Sequence, residues 1–110
     1  MNYETAIRRN YSGDLNAETI IPMGFDRREL RVSTRKSSRG GLHSSAQCVQ
    51  VDPDGNAYRF IVFGDFNASL GSMPGRCTEK NIRAQHAAAL AGIEPVLDKC
   101  RAFYPQPVAA

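Results

Sequence analysis

The strongest chemical signal in this sequence is a run of arginines in one short stretch. Between Arg27 and Arg39 the chain carries six cations and a single acid, Glu29. An arginine guanidinium can hold two phosphate oxygens at once, whereas a lysine acts as a point charge. The stretch therefore predicts phosphate contacts by Arg31, Arg35 and Arg39. The alternative is a solvated strand face, or an edge strand whose charge prevents self-pairing.

A second cationic group stands at the start of a predicted helix. Arg76, Lys80 and Arg83 are spaced by four and three residues, so they share one side of that helix. Thr78 is expected to cap the helix, whose free N–H groups and dipole favour an anion. No G-K-[ST] sequence follows the nearby glycines, which argues against a nucleotide P-loop. The alternative is an ordinary capped helix with solvated cations.

The two histidines are predicted to have different roles. His43 follows a Gly-Gly-Leu turn and is expected to contact a phosphate or a groove edge. His86 lies on the apolar side of the helix and is expected to pack in the core. Neither is at metal-ligand spacing with the other or with a cysteine, so no metal site is predicted. The three cysteines are far apart and odd in number, which predicts free thiols.

The aspartates do not form a convincing catalytic set. Asp52, Asp54 and Asp65 could join His43 in acid–base chemistry. However, an Asp-Pro-Asp-Gly-Asn turn explains Asp52 and Asp54, and no nucleophile motif or paired-acid motif accompanies them. We therefore predict a non-enzymatic protein with no catalytic residues and no cofactor.

Length and composition indicate one domain. A chain of 110 residues is ordinarily a single domain, here an α+β domain over residues 1–110. Its formal net charge of +3 is too small by itself to indicate a polyanion partner. No apolar run is long enough to span a membrane, and Glu4, Arg8 and Arg9 stand where a secretory signal needs an apolar core. We expect a cytoplasmic location without membrane contact.

Alternating polarity predicts three antiparallel strands. From residue 29 to 35 apolar residues alternate with arginine and serine, as in a half-buried strand. A second strand over about 44–51 is joined by the Asp-Pro-Asp-Gly-Asn turn to a third strand over 57–66. The third strand is apolar on both sides. Its second side, with Ile61 and Phe63, is a candidate interface with another chain.

The other segments outside the helix are less regular. Residues 67–77 are expected to form a loop and residues 105–110 a frayed tail. Residues 1–10 could form a short helix with Tyr3, Ala6 and Ile7 on one side. Residues 11–28 give no clear pattern: a turn of helix capped by Asn16 or Thr19 and an extended chain fit equally well, and residues 15–25 could supply a fourth strand.

A long helical pattern runs from Thr78 to Tyr104. Its apolar residues fall on one side at helical spacing, and Pro95 interrupts the pattern without shifting its phase. A kinked or two-piece helix that packs on one sheet face fits best. The predicted core places Ile82, Leu90, Ile93, Leu97 and Phe103 against Val32, Val49, Phe60 and Val62. The predicted fold is thus α+β: a three-stranded antiparallel meander, four-stranded if residues 15–25 join it, covered on one face by a long, Pro-kinked C-terminal helix.

Two motifs in the second half of the chain are similar to those of a double-stranded-RNA-binding domain. Gly40-Gly41-Leu42-His43 resembles the G-P-x-H loop of that family. Thr78-Glu79-Lys80-Asn81-Ile82-Arg83, followed by alanines, resembles its S-K-K-x-A-K helix start. The resemblance implies a helix, three antiparallel strands and a second helix. It also implies that His43 reaches a minor groove, while Lys80 and Arg83 hold phosphates across the major groove.

These features together predict a small nucleic-acid-binding module. Its predicted contacts are Arg31, Arg35, Arg39, His43, Arg76, Lys80 and Arg83. The alternative is a protein-interaction or homodimerisation module. In that case a second chain covers Ile61 and Phe63, and the arginines meet an acidic partner.

Overall fold

A meander of antiparallel strands forms the sheet of this protein. The computed structural model describes residues 3–51, 57–58 and 66–104. Their elements are β1 (Thr5–Arg9), β2 (Leu15–Pro22), β3 (Arg28–Lys36), β4 (Leu42–Val51), β5 (Ala57–Tyr58), β6 (Asn67–Met73), α1 (Glu79–Ala91) and α2 (Ile93–Phe103). Strands β1 to β5 follow one another across the sheet, and β6 pairs with a different part of β4 than β5 does. The α+β class and the antiparallel meander are confirmed.

The N-terminal segment is a strand, so the prediction of a short helix over residues 1–10 is wrong. β1 pairs antiparallel with β2, which places Thr5 opposite Thr19. A turn closes this hairpin because Asn10 Oδ1 accepts hydrogen bonds from the backbone N–H of Ser12 and of Asp14, each at 3.0 Å. Pairing with β2 satisfies backbone N–H and C=O groups of this segment. An isolated helix of this length, by contrast, is unstable in water. The fourth-strand alternative for residues 15–25 is confirmed by β2.

The predicted loop over residues 67–77 is wrong in its first part, because Asn67–Met73 forms β6. β6 pairs with β4 through a β-bulge between Ser44 and Ser45. Gly71, whose φ is +102°, lies opposite Ser44 at this bulge. Glycine permits the backbone angle that the bulge requires. Gly71, which indicates a loop in the sequence, is therefore part of strand β6.

Part of the predicted third strand lies outside the described residues. β5 pairs antiparallel with Gln50 and Val51, as the predicted hairpin requires. Residues 59–65 lie outside the described ranges. They include the candidate interface residues Ile61 and Phe63 and the predicted core residues Phe60 and Val62. The turn at 52–56 and the predicted tail at 105–110 lie outside them as well.

The predicted long helix is two helices that meet at Gly92, three residues before the expected kink at Pro95. Pro95 is the third residue of α2, where a backbone N–H has no helical acceptor and the proline costs little.

At the start of α1, Thr78 Oγ1 accepts a hydrogen bond from the backbone N–H of Asn81 at 3.2 Å, which confirms the predicted cap. Neither helix in the described part of the chain is long and apolar enough to cross a membrane.

Both helices pack on one side of the sheet, which we call the helix face. Side chains of β2, β3 and β4 alternate, and the buried set on the helix face includes Ile21, Leu30, Val32, Ala46 and Cys48. The predicted core residues Ile82, Ile93, Leu97 and Val32 are buried, and Leu90 packs against them half-buried. Phe103 is 49% exposed, and Val49 is buried but alternates to the opposite side of the sheet.

Cys48, Cys77 and Cys100 are free thiols, as predicted.

A chain of buried hydrogen bonds crosses the helix face and fixes α1 to the sheet. His86, predicted to pack in the core, is buried; its Nε2 lies 2.7 Å from Thr19 Oγ1 and its Nδ1 lies 2.8 Å from Thr34 Oγ1. Thr34 Oγ1 in turn lies 2.6 Å from Ser44 Oγ, which also accepts a hydrogen bond from Gln85 Nε2 at 3.1 Å. Both ring nitrogens of His86 therefore have neutral hydroxyl partners. This polar network replaces apolar packing at the centre of the helix–sheet contact.

We expect the stability of the fold to fall when the pH drops below about 6.5, the ordinary pKa of histidine. Burial lowers the pKa of His86, and the groups that face it (Thr19, Thr34, Ser44 and Gln85) carry no compensating negative charge. The unfolded chain therefore takes up a proton at a higher pH than the folded chain does. Stability is fully present above pH 6.5 and is lost as the pH falls toward the lower folded-state pKa.

Urea unfolding at pH 7.5 and at pH 5.5 tests this pH dependence. His86→Asn keeps a polar side chain but cannot titrate, so its free energy of unfolding should change less between the two pH values. An equal change in both proteins would show that other groups cause the effect.

Candidate nucleic-acid interface

The side of the sheet opposite α1 and α2 is polar, and we call it the polar face. Most of its side chains are polar: Arg8, Asn16, Glu18, Glu29, Arg31, Ser33, Arg35, His43, Ser45 and Gln47. Ala6, Ile20 and Val49 lie on the same side of the sheet. A sheet with one face on the core and one face in water ordinarily shows this alternation. What distinguishes this face is its chemistry, because arginines stand beside amides and hydroxyls on four adjacent strands.

Two arginines of the polar face have no ion-pair partner among the described residues. Arg8 comes from β1 and Arg35 from β3, and both side chains are exposed. They flank a cavity of about 220 Å³ that is also lined by Asn16, Glu18 and Ser33. Asn16 lies directly opposite Arg8 in the register of β1 and β2. Two unpaired guanidiniums with polar neighbours form a suitable cradle for a phosphate group.

Arg31, by contrast, is largely neutralised by the protein itself. Its Nη2 lies 3.4 Å from Glu29 Oε2 and its Nη1 lies 3.8 Å from Glu18 Oε1. Only 16% of its side chain is exposed. Ion pairs of this kind hold the guanidinium in place and reduce its attraction for a phosphate. Arg31 therefore belongs to the polar face but is a weaker anion ligand than Arg35.

Several polar atoms of the face are buried without a hydrogen-bond partner in the described chain. They are Asn16 Oδ1, Arg31 Nε and Gln47 Nε2. Buried polar atoms are normally satisfied by protein or by water, and an unsatisfied one is costly. Three such atoms on one face are consistent with a polar molecule, including water, that completes their hydrogen bonds.

The remaining predicted contacts of the strand region lie at one end of this face. His43 alternates with buried Leu42 and Ser44, and its Nδ1 lies 2.8 Å from Ser72 Oγ on β6. Arg39 is exposed in the turn between β3 and β4, where its backbone N–H donates to Ser37 Oγ at 3.2 Å. Arg31, Arg35 and His43 are thus brought together on one face, with Arg39 at its margin.

The helix cations are not part of the polar face. Arg76, Lys80 and Arg83 are exposed on α1 and the loop before it. Helix α1 packs on the helix face through Ile82 and His86, so Lys80 and Arg83 lie in the layer opposite the side chains of Arg31 and Arg35. Arg83 is also paired with Glu79, Nε to Oε2, at 3.6 Å. The structure therefore does not bring the seven predicted contacts together on one surface.

The layout also differs from the one implied by the resemblance to a double-stranded-RNA-binding domain. The chain begins with a β-hairpin where that family has a helix. Gly41, which stands at the proline position of the family's loop motif, has φ of +73°, whereas proline is restricted to about −65°. The His43 side chain lies on the polar face opposite Arg35, whereas Lys80 and Arg83 belong to α1, which packs on the helix face.

The sequence patterns did not single out Arg8, Asn16, Glu18 or Gln47 as interface residues. The signal for the first three was the alternation within residues 5–9 and 15–22, where Ile7, Ala17 and Thr19 occupy every second position. Once both segments are recognised as paired strands, the polar residues between these positions fall on the face of Arg31 and Arg35.

No protein-family model, curated protein or solved structure matches this chain. The proposal for its function therefore rests on the side chains of the polar face.

Proposed function

We propose that this protein is a non-enzymatic module that binds single-stranded nucleic acid along its polar face. Arg8 and Arg35 hold phosphates, and the amide and hydroxyl side chains between them contact bases and sugars. Arg31, Arg39 and His43 lie beside this path and contribute less. Arg76, Lys80 and Arg83 are not contacts in this proposal.

The observation that carries the proposal is the unpaired state of Arg8 and Arg35 within the described chain. Arg83, by comparison, is paired with Glu79. The side chains of Arg8 and Arg35, which come from different strands, line one cavity. Glu18 lines it as well but makes no ion pair with either arginine in the described chain. Their fork of N–H donors matches the oxygens of a phosphate diester.

The arrangement suits a single strand better than a duplex. A duplex presents phosphates along two ridges, and a protein holds them with cations from separate loops or helices that meet on one surface. The helix cations of this protein project from the opposite layer. A single strand exposes its bases, whose edges can meet the serine, asparagine and glutamine side chains of a sheet.

Binding should weaken with salt in proportion to the number of phosphates held. For single strands the slope of log K against log salt is about −0.7 per phosphate, so two contacts give about −1.4. That slope corresponds to about a sevenfold loss of affinity between about 50 and 200 mM salt. Fluorescence anisotropy with labelled oligouridine of about ten nucleotides measures it.

Substitution of the two arginines separates this proposal from general charge attraction. Arg8→Ala with Arg35→Ala should lower the affinity for oligouridine by about tenfold or more and flatten the salt slope. The matched control, Lys80→Ala with Arg83→Ala, removes the same charge from the helix layer and should leave binding nearly unchanged. Equal losses in both variants would contradict the proposal. Absence of binding in the parent protein, with a dimer that persists at high salt, would favour the protein-interaction alternative.

A further inference from the structure

Glu18 stands among the arginines of the polar face, where an acid opposes phosphate binding. Glu18 pairs with Ser33 in the register of β2 and β3. Arg31 and Arg35 stand two residues before and two residues after Ser33 on β3. Its carboxylate oxygen Oε1 lies 3.8 Å from Arg31 Nη1. This distance is longer than the 2.7–2.9 Å of a charge-assisted hydrogen bond. The carboxylate and the guanidinium therefore lie side by side without using up each other's hydrogen-bonding capacity.

On the side of Glu18, Arg31 presents its terminal nitrogen Nη1. Nη2 donates to Glu29 Oε2 at 3.4 Å, and Nε is buried. The pair Arg31–Glu18 thus offers one donor, Nη1, followed by the two acceptor oxygens of the carboxylate. Next to it, Gln47 lies directly opposite Arg31 on β4, and its Nε2 has no partner in the described chain.

The order donor, acceptor, acceptor is the order that cytosine presents to guanine in a base pair. Guanine offers the complement: its O6 accepts, and its N1–H and N2–H donate to a carboxylate. Adenine and cytosine place a ring-nitrogen lone pair against the carboxylate, which repels them. Uracil offers O4 and N3–H as guanine offers O6 and N1–H, but it sets its O2 against the second carboxylate oxygen, which repels it.

We infer that Glu18 and Arg31 form a guanine-reading subsite within the polar face. This inference rests on the proposed function, because the base is part of the single strand that Arg8 and Arg35 hold. The subsite lies at a cavity of about 70 Å³ lined by Glu18, Arg31, Ser33, Arg35, Ser45 and Gln47, among other residues. Arg31 Nη1 donates to O6, and Glu18 accepts from N1–H and N2–H.

Oligouridine with a single central guanosine tests the subsite directly. The parent protein should bind it about tenfold more tightly than oligouridine alone or with a central adenosine. Inosine, which lacks the exocyclic N2 amino group, should give an intermediate affinity because one of the two bonds to Glu18 is lost.

Glu18→Gln should change two measured quantities differently: the affinity for plain oligouridine and the preference for guanosine. The comparison separates base recognition from charge attraction. Removing an acid from a phosphate-binding face should raise the affinity for plain oligouridine or leave it unchanged. The same change should abolish the preference for guanosine, because glutamine offers one acceptor instead of two. The matched control is Glu29→Gln, which also removes a negative partner of Arg31 but does not line the cavity. It should keep most of the preference.

The possible failures are distinguishable. If the parent protein binds all these oligonucleotides equally and loses them with Arg8→Ala and Arg35→Ala, the guanine inference is overturned while the proposed function stands. If Glu18→Gln raises the affinity for every oligonucleotide by the same factor, Glu18 only balances charge and the inference is again overturned. If no oligonucleotide binds, the proposed function itself fails.

Discussion

Replacing His86 with alanine is expected to lower the free energy of unfolding by about 3–5 kcal/mol. The substitution removes the hydrogen bonds at 2.7 Å and 2.8 Å to Thr19 and Thr34, whose side chains are fully buried. Each of the two lost hydrogen bonds costs about 1 kcal/mol, because Thr19 keeps its bond to Thr5 and Thr34 keeps its bond to Ser44. The missing ring adds the larger cost, since it leaves a cavity between α1 and the sheet. Because native domains are stable by only about 5–15 kcal/mol, the variant should be close to unfolding.

Urea denaturation followed by circular dichroism at pH 7.5 measures this loss. Gln85→Ala, which removes only the 3.1 Å bond to Ser44, should cost about 1–2 kcal/mol. Lys80→Ala on the exposed side of the same helix should stay within about 0.5 kcal/mol of the parent protein. If His86→Ala costs no more than Gln85→Ala, the polar network does not fix α1 to the sheet.

Local signals in the sequence predicted the elements that depend on few partners. Strands β3 and β4 follow from strict alternation, and Thr78 caps α1 because an extended threonine before a helix bonds the N–H three residues ahead. His86 was placed in the core from helical spacing alone. The spacing did not predict its hydroxyl partners, because Thr19 and Thr34 come from two other strands and meet it only in the folded chain.

Elements that depend on distant pairing were harder to predict. The segment of β1 is short enough to fit a helix or a strand, and only its register with β2 decides between them. The segment of β6 contains Gly71, which argues for a loop until the bulge opposite Ser44 gives that glycine a role in the sheet. The missed strand β1 also explains why Arg8 was missed, since its position follows from the pairing.

The grouping of charges depends on sheet geometry rather than on sequence distance. Arg31 and Arg35 were recognised as one group, yet Arg31 is held by Glu18 of a neighbouring strand while Arg35 has no ion pair in the described chain. The cations of α1 were expected to extend the same surface. However, a helix that buries Ile82 and His86 on one side of a sheet must project its own exposed side chains away from the other side. In this two-layer fold the cations of α1 and those of the polar face therefore lie on different surfaces, although the sequence suggests a single one.

Replacing Gly41 with alanine is expected to cost about 3 kcal/mol or more, and clearly more than the same change at Gly40. Both glycines have positive φ, +73° at Gly41 and +91° at Gly40, so both variants bear the strain of a left-handed alanine, about 1–2 kcal/mol. The surroundings differ. A Cβ at Gly41 would collide with the carbonyl oxygen of Met73 and lie 3.2 Å from Pro74 Cα, whereas nothing lies within 4 Å of a Cβ at Gly40.

The collision at Gly41 involves backbone that has little freedom to move. Leu42 pairs with Met73 in the register of β4 and β6, so relief of the clash requires β6 to shift away from β4. The effect of alanine on the unfolded chain is the same at both positions and cancels in the comparison. Urea unfolding of the two variants measures the difference, expected at about 2 kcal/mol. Hydrogen exchange should also speed up in residues 67–73 of the Gly41→Ala variant only. Equal losses of stability, with unchanged exchange in β6, would mean that the turn does not lie against that strand.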